Sequence, residues 1–126
     1  MTINDISNLI INSAINVHRE LGPGLFESVY QSCLIIELEE QQLKVKKEVD
    51  LPVIYREVVV NEHGFRLDLL VEDKVVIELK SVVKVSPVHI KQLLTYLKLS
   101  NKPLGLLINF NENLLKDGVR RVVNNL

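Results

Sequence analysis

The sequence predicts an α/β protein in which helices flank a central mixed β-sheet to form a sandwich. Three observations predict it. Segments with helical and with strand periodicity follow one another along the chain. Two strand-like runs, Arg66–Val71 and Val75–Lys80, carry ionisable side chains inside otherwise apolar sequence. A third run, Leu104–Phe110, is almost continuously apolar and is entered at Pro103, as a buried strand would be.

The first helix is expected from about Asn4 to Glu20, capped by Thr2 or Asn4. Ile6, Leu9, Ile10, Ser13, Ile15 and Val17 approximate its buried stripe. Gly22-Pro23-Gly24 then breaks the chain. A second helix is expected from about Leu25 to Gln42, with Val29, Cys33, Leu34, Ile36 and Leu38 inward. Glu27, Tyr30 and Gln31 share one face near its start. Strand-like segments follow at Lys44–Val49, Val53–Tyr55 and Val58–Val60, the first two separated by Pro52. Asn61-Glu62-His63-Gly64 reads as a turn into the charged pair of runs. Ser86-Pro87 opens a helix to about Leu99, with Ile90, Leu93, Leu94 and Leu97 as its core stripe and His89, Gln92 and Tyr96 on the adjacent face. A last helix is expected from about Glu112 to Asn124, burying Leu115, Val119, Val122 and Val123. The order is α-α-β-β-β-β-α-β-α.

The charged runs carry the chemistry. Ionised side chains are expensive in an apolar strand unless something pairs with them. Side chains alternate faces along a strand, so Arg66, Asp68 and Leu70 share one face of the first run, and Val76, Glu78 and Lys80 share one face of the second. An antiparallel hairpin with Glu72-Asp73-Lys74 as its loop pairs Val71 with Val75, Leu69 with Ile77 and Leu67 with Leu79. The same register sets Asp68 opposite Glu78 and Arg66 opposite Lys80. A three-residue loop prefers Gly at its left-handed position, and here only Asp73 or Lys74 stands there; a bulge is the other way to restore parity. Two carboxylates with a lysine beside them suit a divalent cation.

Composition bounds the rest. The 126 residues form one expected domain with an aliphatic core, since Trp is absent and aromatics are 5%. A net charge of -1 gives no general attraction to nucleic acid, so such a partner must meet a local basic patch. Cys33 is the sole cysteine; it excludes an internal disulfide and fits a reducing cytoplasm. No apolar run approaches the roughly 20 residues that span a bilayer, and Asn4, Asp5 and Asn8 interrupt any signal-peptide pattern. The three histidines lack zinc-like spacing. Tyr30 reads as a packing residue with a satisfied hydroxyl, Lys44, Lys46 and Lys47 as a solvated strand edge, and Arg120 and Arg121 as partners of a helix C-terminus.

Four motifs in order resemble the GxxExxY family, a branch of the PD-(D/E)XK nuclease superfamily. They are Gly24-Leu25-Phe26-Glu27-Ser28-Val29-Tyr30; Asp68 followed after nine residues by Glu78-Leu79-Lys80; Gln92-Leu93-Leu94-Thr95-Tyr96; and Leu106–Phe110 with Arg120 and Arg121 beyond. The likeness spans about Ile10 to Arg121, and Leu67 stands where the superfamily has Pro. It implies a restriction-endonuclease-like fold and a Mg²⁺-dependent (or Mn²⁺-dependent) nuclease cutting phosphodiester bonds, in DNA. Asp68, Glu78, the Leu79 carbonyl and Glu27 would hold the metal. Lys80 would orient water or stabilise phosphate charge, Gln92 and Tyr96 would position the reacting groups, and Arg66 and His89 would contact phosphates. Small size and analogy point to a dimer or protein partner that helps grip substrate. The alternative is a catalytically inactive nucleic-acid-binding or assembly module that keeps the fold.

Overall fold

Five strands form one sheet in the order β1-β2-β3-β4-β5, in a computed structural model that describes residues 1–126. Helix α1 (Ile3–Leu21) opens on a capping box: the Asp5 N–H donates to Thr2 Oγ1, and the Thr2 N–H donates to Asp5 Oδ2. It stops at Gly22, whose φ of 75° favours glycine. Helix α2 (Glu27–Glu40) packs beside it. Its buried residues are Tyr30, Leu34 and Leu38, whereas Val29 and Ile36 are exposed and Cys33 is half-buried, so the inward stripe is narrower and rotated from the expected one.

Strands β1 (Val45–Tyr55), β2 (Val58–Val71) and β3 (Val75–Lys80) run antiparallel in succession. β3 passes through helix α3 (Pro87–Ser100) to the parallel strand β4 (Leu104–Asn109), and β5 (Val119–Val123) lies antiparallel to β4. The sheet separates two cores. Ile6, Ile10, Tyr30, Leu34, Leu69, Ile77 and Leu106 belong to the core beneath α1 and α2. Leu67, Leu70, Val76, Leu93, Leu97 and Leu107 belong to the core beneath α3. The sandwich expected from sequence is therefore present.

Three expectations about its elements are corrected. First, Lys44–Val49 and Val53–Tyr55 form one strand, because β1 lies at the sheet edge and tolerates Pro52 with a local register shift. Second, Asn61–Gly64 lies inside β2; the chain turns instead at Arg56 and Glu57, both at positive φ between the paired Tyr55 and Val58. Gly64 serves close packing, since a Cβ there would collide with the Val53 side chain. Third, the expected last helix is a 3-10 turn (Leu115–Gly118) followed by β5. Gly118 packs against the Asn109 carbonyl with no room for a Cβ, and the β-branched Val119, Val122 and Val123 complete the sheet beside β4.

The β2–β3 hairpin keeps the expected pairs Val71–Val75 and Leu69–Ile77. Its loop places Glu72 and Asp73, rather than Asp73 or Lys74, at positive φ. Leu67, however, joins the α3-side core while Leu69, Val71 and Leu79 join the other, so it does not pair with Leu79 on one face. The reversal has a local cause. The β1–β2 ladder skips Glu48 and Asp68 and resumes in the same register at Val49–Leu67, with Glu48 at φ 52°. Both strands exchange faces there: Val45 packs on the α1–α2 core and Val49 on the α3 core.

Candidate active site

The face exchange takes Asp68 out of the regular ladder. Beyond Leu69–Ile77, β2 and β3 have no further paired residues, and acidic side chains bridge the gap. The Leu79 N–H donates to Asp68 Oδ2 at 2.8 Å, and the Asp68 N–H donates to Glu78 Oε1 at 3.3 Å. Each carboxyl thus satisfies a backbone group on the opposing strand.

Helix α2 closes the site from the other side. Tyr30 is fully buried and stacked on Phe110, with ring centroids 4.3 Å apart. Its hydroxyl donates to the Gly22 carbonyl at 2.5 Å and accepts from the Leu25 N–H at 3.1 Å. The Ser81 hydroxyl donates to the Leu25 carbonyl at 2.6 Å. These bonds fix the turn before α2 and hence its first residue, Glu27. One turn on, the Gln31 amide donates to the Asp68 carbonyl at 3.1 Å and ties α2 to β2. The result is a cleft of about 150 Å³ lined by Glu27, Ser28, Gln31, Glu48, Arg66, Asp68 and Leu79.

The electrostatics follow from burial of like charges. Glu78 is only 8% exposed, and burial, then the Asp68 charge, pushes its carboxyl up to about 8. Burial raises Asp68 as well, against the pull of the Leu79 N–H and the Lys80 ammonium. The upward shift leaves Glu78 holding its proton near neutrality, beside Asp68. Lys80 is half-buried, acts on both acids and makes no ion pair. On α3, Tyr96 is buried; desolvation and the charges of Glu78 and Asp68 raise its hydroxyl, while the Gln92 side chain acts the other way.

A family model described as the PD-(D/E)XK nuclease superfamily matches residues 4–122. The chain belongs to the PD-(D/E)XK nuclease superfamily. Neither the curated proteins nor the solved structures yield a match to it.

Within this PD-(D/E)XK domain, the expected site residues take different positions. Asp68, Glu27, Arg66 and Leu79 meet at the cleft, and Glu78 meets Asp68 from behind. His89 stands outside the cleft, where its Nδ1 accepts from the Ser86 N–H in the capping box of α3. Glu48 and Ser28 line the cleft without having been singled out from sequence, and Gln31 had been noted only for sharing a helix face with Glu27. The strand-period reading of residues 44–49 hid Glu48, whose place depends on the skipped ladder position. No group of three or more His, Cys, Asp or Glu side chains is gathered closely enough to hold a metal by itself. The donors expected from the sequence would be the Asp68 and Glu78 carboxyls, the Leu79 carbonyl and Glu27. All are hard oxygen ligands, which fit a Mg²⁺-type ion that keeps several waters.

Proposed function

We propose that this protein is a metal-dependent nuclease of the GxxExxY type that hydrolyses phosphodiester bonds in DNA. The observation that carries the proposal is the Asp68–Glu78 pair. Both carboxyls are largely buried; Asp68 lines an open cleft together with Glu27 and Arg66, and Glu78 is joined to it through the Asp68 N–H. Such a pair is unfavourable until positive charge arrives.

Asp68, Glu78 and the Leu79 carbonyl would hold Mg²⁺ or Mn²⁺, with Glu27 completing the set directly or through water. When bound, the ion makes its water more acidic and polarises the phosphoryl oxygen. Lys80 steadies the attacking water or the charge growing on phosphate. Gln92 and Tyr96 position Lys80 or a substrate phosphate from α3. Arg66 and the free Nε2 edge of His89 are the assigned phosphate contacts. The whole chain, residues 1–126, acts as one domain, in the cytoplasm, with a second copy or another protein helping to grip DNA. No helix is long and apolar enough to cross a membrane.

One observation favours a second reading. Both acids already satisfy backbone N–H groups, as they would in a catalytically inactive nucleic-acid-binding or assembly module. Incubation with linear, circular and single-stranded substrates, with Mg²⁺ or Mn²⁺ and with chelator, separates the two. Metal-dependent cleavage that disappears in Asp68→Asn and Lys80→Ala supports the nuclease. Binding without cleavage supports the inactive module. Equal cleavage by wild type and both variants removes the catalytic assignment.

A further inference from the structure

A second, larger cleft lies along the loop that follows β3. It encloses about 520 Å³, against about 150 Å³ for the acid cleft. Its walls come from three parts of the chain: the Val83–Pro87 loop, the first turn of α3, and the segment from Glu112 to Arg120. Gly118 permits the close approach of the 3-10 turn to β4 that shapes one wall.

The cleft combines two kinds of surface. Lys84, Lys91 and Arg120 enter it from separate elements, and none is in an ion pair. Arg120 is nevertheless anchored, because its Nη1 donates to the Asp117 and Val119 carbonyls. Val83, which is 93% exposed, gives the rim an apolar wall. Glu112 and Asp117 also line the cleft and leave a net charge of +1 from the three cations and two acids. A bare inorganic anion has no use for the apolar wall. A nucleotide unit offers a phosphate for the cations, a sugar and base face for the wall, and base donors for the acids.

Position supplies the link to the acid pair. Lys84 lies four positions after Lys80, at most about 14 Å of extended chain, or about four nucleotides at 3.4 Å per step. This connection is held on both sides. The fully buried Asn109 accepts from the Val82 N–H at 3.1 Å and donates to its carbonyl at 2.9 Å, while Ser81 bonds the turn before α2.

We propose that this second cleft holds the substrate strand a few nucleotides from the point of cleavage, with Lys84, Lys91 and Arg120 on its phosphates. The assignment rests on the nuclease reading for its placement, but its test reads binding alone. A fluorescent single-stranded or duplex oligonucleotide is titrated with the full chain, in chelator, over a series of salt concentrations. The triple variant Lys84→Gln, Lys91→Gln, Arg120→Gln is compared with an equally discharged control, Lys44→Gln, Lys46→Gln, Lys47→Gln. Thermal melts verify that both are folded.

The cleft triple is expected to bind at least about tenfold more weakly and to lower the salt slope by about two, while the control changes affinity less than about threefold. Wild-type-like binding by the cleft triple, or equal losses in both triples, overturns the assignment and leaves the nuclease reading standing. Failure of wild type to bind any oligonucleotide overturns both. Weakened binding by the cleft triple, with no cleavage by wild type in metal, supports the cleft and removes the nuclease reading alone.

Discussion

Two charged clusters share β2, one with β1 and the other with β3, and they obey opposite rules. At Asp50, Arg66 and His63 the charges are opposite and open to solvent: the Arg66 Nε donates to Asp50 Oδ1 at 3.1 Å, and His63 Nδ1 lies 2.9 Å from Oδ2. Arg66, then His63, holds the Asp50 carboxyl below the usual carboxylate range. Two residues further along, Asp68 and Glu78 are like-charged and mostly buried, and both are raised. The first cluster already has its counter-charges. The second has backbone N–H groups and a nearby lysine but no ion pair, so it is the one with a reason to recruit a cation. A folded chain retains such an arrangement when something beyond stability uses it.

The largest test of this contrast is catalytic. Asp68→Asn and Glu78→Gln should each lower the single-turnover cleavage rate by at least about 100-fold, the order expected when a charge-stabilising group is lost. Asp50→Asn should change that rate by less than about threefold. A comparable loss at Asp50 erases the distinction between the clusters.

Stability against pH is the next test, and its sign is set by Glu78. Its folded value, about 8, lies above the ordinary 4.5, so the folded state binds the extra proton between those values. The associated stability is fully present below about pH 4.5 and is lost as pH rises through about 8, a difference of the order of a few kcal/mol. Glu78→Gln should flatten that slope in urea melts across the same range. Mg²⁺ should raise the melting temperature more at about pH 8.5 than at about pH 6, and chelator should reverse the gain, because the ion competes with the proton on Glu78.

How much of this was legible follows from which interactions are local. The hydrophobic alternation on β2 and β3 gave the register Leu69–Ile77 and Val71–Val75. The four spaced motifs pointed to the superfamily and to Asp68 and Glu78. The apolar spacing at Leu115, Val119 and Val122 fits a helix as well as a strand, and only the free edge of β4 decides for the strand. The turn at Arg56 and Glu57 carries neither Gly nor Asn, so its positive φ values leave no residue signature. Glu48 became visible only once β1 lay against β2, because the skipped position is a property of the pair of strands.

A smaller effect is expected from a buried polar group that is neutral and fully partnered. Tyr30→Phe removes the hydroxyl that bonds both Gly22 and Leu25 while keeping the ring on Phe110. A loss of about 1–3 kcal/mol in denaturant unfolding is expected. Because those bonds hold the turn before Glu27, cleavage should fall further than the loss of folded protein explains. If stability falls and the rate per folded molecule does not, the turn serves stability alone.

The smallest effect belongs to the exposed cluster. Asp50→Asn should leave the melting temperature unchanged within about 2 °C at neutral pH, because solvent-exposed pairs contribute little. Its pH window is the reverse of that at Glu78. A depressed carboxyl contributes stability present above its ordinary 3.8 and lost as pH falls through its lower folded value, so removing it should alter only the acid limb of the stability curve. Arg66 connects the clusters, since it bonds Asp50 and also lines the acid cleft. If it contacts a phosphate there, Arg66→Ala should lower the salt slope of oligonucleotide binding by about one, and Asp50→Asn should leave the slope unchanged. The same slope in Arg66→Ala and wild type would confine the guanidinium to the exposed cluster.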